Sequence, residues 1–82
     1  MTARSSQRRV VRLTGWKSGI RTIDLALLVR DAARVDLRKA KKMVEEVLDG
    51  GEVTIHFANE EQARAFWSVA EPTGVLGDVG IP

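Results

Sequence analysis

The chain has 82 residues with 13 Lys and Arg against 11 Asp and Glu, a formal net charge of +2 that hides a segregation. Residues 1–42 hold twelve of the basic residues and only Asp24, Asp31 and Asp36, whereas residues 43–82 hold Arg64 and eight acids. This length excludes a second domain, the 44% hydrophobic content suffices for one core, and the absence of cysteine excludes disulfides, thiol nucleophiles and thiolate metal sites.

Met1 to Gln7 shows no hydrophobic periodicity and reads as a disordered basic arm, with the folded domain expected over residues 8–82. The N-terminus also lacks the apolar segment of a signal peptide. The longest uninterrupted apolar run, Leu25 to Val29, is far short of the ~20 residues of a spanning helix. A cytoplasmic location and no membrane partner are expected. A first strand starts near Arg8, with Arg9, Val11 and Leu13 on one side and Arg8, Val10, Arg12 and Thr14 on the other. Thr14 to Arg21 reads as a loop containing Gly15 and Gly19, and Thr22 as the N-cap of a helix that runs to about Arg34. On that helix Leu25, Leu28, Val29 and Ala32 form a core stripe. Ile23, Leu27, Arg30 and Arg34 lie within about 60° of one another on the opposite side.

Asp36 caps the second helix, whose apolar face is Leu37, Ala40, Met43, Val44, Val47 and Leu48, and Gly50-Gly51 stops it. Its solvent face places Arg38, Lys39, Lys41 and Lys42 before Glu45, Glu46 and Asp49. That order opposes the helix dipole by about 0.3–1 kcal/mol per exposed terminal charge. Lys41–Glu45 and Lys42–Glu46 pairs recover only about 0.2–0.5 kcal/mol each, so the order calls for an explanation other than stability. Val53, Ile55 and Phe57 form the buried side of a second strand, and Asn59 with Gln62 makes a capping box for a third helix. That helix has Ala63, Phe66, Trp67 and Ala70 on its apolar face and ends by Pro72; Thr73-Gly74 turns the chain into a third strand. The expected fold is α+β, β-α-α-β-α-β, with a three-stranded antiparallel sheet covered by three helices on one face. On the other face Arg8 and Arg12 can meet Glu52 or Asp78.

The run Asp36-Leu37-Arg38-Lys39-Ala40-Lys41-Lys42-Met43-Val44-Glu45, with the element order around it, resembles the C-terminal domain of the bacterial ribosomal stalk protein. Leu37, Ala40, Lys41, Val44 and Glu45 match the family's second-helix pattern Leu-Lys-Glu-Ala-Lys-x-Leu-Val-Glu, with Arg38 and Met43 as conservative replacements. The resemblance covers about Val10 to Val79. It implies a non-enzymatic module that docks a protein partner, a translation-factor GTPase or ribosome-associated factor, through its first two helices. The residues it points to, together with the basic and apolar helix faces, are Ile23, Leu27, Arg30, Arg34, Leu37, Arg38 and Lys41. Thr22, Leu27 and Lys39 depart from the family, standing where it has two lysines and an acid.

The Clp protease adaptor is similar in fold, but its degron pocket needs an Asn-Asp-Asp cluster where this chain has Thr14-Gly15-Trp16-Lys17-Ser18-Gly19. A nucleic-acid contact through Arg4, Arg8, Arg9 and Arg12 is the alternative, although no aromatic-studded strand offers a stacking platform. His56 is the only histidine and has no nucleophile beside it, so no catalytic residue, metal or cofactor is expected. Trp67 reads as core, and Trp16 either packs at the sheet edge or meets a partner. The oligomeric state has no signature in the sequence.

Overall fold

Val10, Val11 and Leu13 supply the β-branched and apolar side chains of a central strand. In the computed structural model, which describes residues 8–82, that strand is β1, Val10–Trp16. It is followed by α1 (Thr22–Ala33), α2 (Leu37–Leu48), β2 (Val53–His56), α3 (Glu60–Ala70), a 3₁₀ turn at Glu71–Thr73 and β3 (Val75–Gly80). The sheet order is β2-β1-β3 with both pairs antiparallel, so the domain is the expected α+β, β-α-α-β-α-β arrangement. The expected arm of residues 1–7, with Arg4, lies outside the described residues. No described helix is long and apolar enough to cross a membrane.

One core joins the layers: Val11, Leu13, Ile55 and Val75 from the sheet meet Leu25 and Val29 of α1, Val44 and Val47 of α2, and Phe66 of α3. All three helices therefore cover one face, and Phe57 adds an aromatic contact to Phe66 at 5.4 Å between ring centroids. On the helix-free face Arg12 Nε lies 4.0 Å from Glu52 Oε2, one of the expected cross-strand pairs. The same guanidinium runs past Gly80 and donates to the Ile81 carbonyl.

Two local expectations are corrected. Strand β1 continues to Trp16 instead of giving way to a loop at Thr14. Leu13 pairs with Gly77 and Gly15 with Leu76, which leaves Thr14 as the extra residue of a bulge. The bulge reverses the side-chain alternation, so Trp16, paired with buried Val75, turns toward the helices and its Nε1 donates to the Leu48 carbonyl at 3.3 Å. Gly77 is needed there, since a Cβ would stand 1.9 Å from the Arg12 carbonyl oxygen. Thr22, expected as an N-cap, is instead the first helical residue, and the N-cap Arg21 makes no side-chain cap bond. The chain enters α1 tied by backbone instead. Arg21 N–H donates to Thr73 O at 2.7 Å and Lys17 N–H to Gly74 O at 2.8 Å, which fixes the entry without a hydroxyl.

The other helix ends follow their sequence signals. Asp36 Oδ1 accepts from Lys39 N–H at 2.8 Å, and Asn59 Oδ1 from Gln62 N–H at 2.9 Å. At the far end of α2 the carbonyls of Glu45, Glu46 and Val47 accept from Asp49, Gly51 and Gly50. With the Trp16 indole on Leu48, all four terminal carbonyls have partners.

Candidate partner-docking face

Helices α1 and α2 pack side by side and leave a narrow groove of about 190 Å³ between them. Ile23 and Ala26 form one wall, Val44 and Leu48 the other, with Lys41 and Glu45 at the rim. Ala26 and Val44 are buried at its floor, whereas Ile23 is 69% exposed. A second concavity of about 390 Å³ on α2 is lined by Leu37, Arg38, Lys41, Lys42 and Glu45. Lys41 and Glu45 belong to both, so Ile23, Leu37, Arg38 and Lys41 of the expected set share one continuous surface.

The remaining expected residues are placed differently. Leu27 lines a cleft of about 360 Å³ on the α3 side of α1, together with Leu28, Val69 and Pro72. Arg30 is half-buried and its Nε donates to Asp31 Oδ1 at 3.1 Å. Arg34 stands at the far end of α1 in a cleft of about 870 Å³ beside β2 and the start of α3. The periodicity that grouped these side chains is real, but the helix is wide enough for Ile23 to lean to α2 and Leu27 to α3.

The charges on α2 are unneutralised. Among the described residues no carboxylate lies within 4.0 Å of Arg38, Lys39, Lys41 or Lys42, so the anticipated Lys41–Glu45 and Lys42–Glu46 pairs do not form. Glu46 lies instead over Gly51, where an added Cβ would fall 2.4 Å from its Oε2.

The residues of the nucleic-acid alternative are partly committed elsewhere. Arg12 is held by Glu52 and the Ile81 carbonyl, while Arg8 and Arg9 are exposed at the head of β1. Glu60 Oε2 accepts from Arg64 Nε at 2.7 Å, and its Oε1 accepts from the Arg8 backbone N–H at 3.2 Å. The Arg64 hydrogen bond first, then that from Arg8, hold the Glu60 carboxyl below its ordinary value. Exposed Val69 on α3 escaped the sequence reading because a lone valine off the apolar stripe carries no periodic signal. The anchoring of Trp16 escaped it because the bulge depends on pairing with distant β3. No protein-family model, curated protein or solved structure matches the chain.

Proposed function

We propose that this chain is a non-enzymatic interaction module that docks an acidic protein surface through the α1–α2 face. A translation-factor GTPase or ribosome-associated factor is the partner class, as the resemblance to the stalk C-terminal domain implies. The observation that carries this reading is Ile23, an isoleucine 69% exposed beside an apolar groove whose α2 rim is Lys41 and Glu45, with Arg38 and Lys42 on the adjoining concavity. An exposed apolar anchor over a groove, with an arginine on the adjoining surface, is the kind of composition in which interface energy concentrates. Fully burying an isoleucine contributes about 1.5–3 kcal/mol, enough for Ile23 to dominate a modest interface.

Ile23→Asp and Lys41→Glu replace exposed side chains, so both variants are expected to fold. Each should weaken binding to purified translation-factor GTPases at least tenfold in calorimetric titration. Wild-type binding by both variants would overturn the reading, as would wild-type protein that binds none of these GTPases. Nucleic-acid binding has weaker support, since Arg12 is already engaged on the helix-free face.

A further inference from the structure

We infer that the open edge of β2 is a docking site for an extended acidic peptide, which adds as a fourth strand and presents a carboxylate to Arg34. The argument begins with the direction of the backbone groups. Phe57 N–H donates to Arg9 O at 2.8 Å. In an antiparallel ladder this makes Arg9–Phe57, Val11–Ile55 and Leu13–Val53 the hydrogen-bonded pairs. The N–H and C=O groups of Thr54 and His56 then point away from β1, and none has a backbone partner among the described residues. Strand β2 reads Val-Thr-Ile-His and is short, but it carries no proline, no lysine and no bulge to block its edge.

A cleft of about 870 Å³ runs along this edge. Thr54 to Ala58 line it consecutively, so its wall is the edge of the strand itself, and the end of α1 and Gln62 of α3 face it. The other edge strand, β3, lines none of the four clefts described. Among the clefts described, space and outward hydrogen-bonding groups coincide at β2, and four backbone bonds to Thr54 and His56 would hold a strand laid there.

Charge selects the occupant. Asp31 in the cleft wall is engaged by Arg30, whereas Arg34 has no carboxylate within 4.0 Å among the described residues. Arg34 also stands at the C-terminal end of α1 with φ 56°, the left-handed conformation in which glycine is the cheaper residue. The unfavourable backbone of a non-glycine residue there supports a binding role for its guanidinium. A second copy pairing through its own β2 fits less well, because the acid of that segment, Glu52, is already held by Arg12.

The test is a phage-displayed random heptapeptide library panned against the full chain, with Thr54→Pro as counter-selection. Proline at position 54 deletes an outward N–H and leaves the β1–β2 ladder intact. Enriched peptides should alternate β-branched residues and carry one Asp or Glu. A selected peptide should slow amide exchange at Thr54 and His56 at least tenfold, and Arg34→Gly should weaken its binding at least tenfold with no loss of thermal stability. The proposal is overturned by no enrichment over the counter-selection, or by selected peptides that bind Arg34→Glu as well as wild type. Protection that grows with protein concentration in the absence of peptide also overturns it, and assigns the edge to a second copy.

Discussion

Glu60 shows how one surface side chain ties separate segments together. Its carboxylate receives the Arg8 backbone N–H from the head of β1 and the Arg64 guanidinium from within α3. Because its folded value lies below the ordinary 4.5, the stabilisation is complete above that pH and is lost as pH falls through the folded value. Glu60→Gln should therefore flatten the acid limb of the stability curve, measured by urea unfolding from pH 7 down to pH 3; an unchanged acid limb would refute the link. Gly74 works by shape rather than charge. Its φ is 104°, and a Cβ would sit 3.0 Å from Ile20 Cα, so Gly74→Ala should cost about 1–3 kcal/mol in the same assay. Neither role could be read from the sequence. Glu60 needed the position of Arg8, 52 residues away, and Gly74 looked like any turn glycine until Ile20 was found against it.

Among the elements, α2 is the one whose sequence spoke most clearly and also the one least arranged for its own stability. Its apolar face apart from exposed Leu37, its Asp36 cap and its glycine stop are present as expected, because each depends on neighbours within one or two turns. The cations of its first turns oppose the dipole without carboxylate partners among the described residues, so removing one should help the fold. Lys39→Glu, at the third helical position, is expected to stabilise the domain by about 0.3–1 kcal/mol and to weaken docking to an acidic partner. Thermal unfolding and calorimetric binding on the same sample separate the two effects, and a stabilised variant with undiminished binding would detach the cation block from function. Strand β2 is the reverse case. Its alternation was legible, but which backbone groups face outward is set by register against β1, and no local pattern encodes that.

At the scale of the molecule, the basic half and acidic half of the chain do not become two hemispheres. Cations concentrate on the exposed side of α2 and at the head of β1, while Glu60 and Glu52 are drawn into pairs with Arg64 and Arg12. Docking through the α1–α2 face should therefore be steered by charge, with an association rate that falls as salt rises past about 0.1 M, where the screening length is about 10 Å. Stopped-flow mixing with the partner checks this, and a rate indifferent to salt would count against an acidic target. The fold class was legible because three amphipathic helices and three alternating segments leave few ways to build one core. The division of Ile23 from Leu27 was not, because helical periodicity places a side chain on a face without saying which neighbour that face will meet.

The strand order β2-β1-β3 also bears on how the chain comes into being. Strand β1, the earliest of the three in the chain, is the centre of the sheet, and one of its two partners, β3, is the latest. Val10 pairs with Gly80 across nearly the whole length of the domain, and the loop before α1 is closed by carbonyls of Thr73 and Gly74. During synthesis β1 must therefore wait with one edge open, its valines uncovered, until β3 arrives. Helices α1 and α2 can pair early, but the sheet closes only once β3 is available and bears the slow rate that such distant closure imposes.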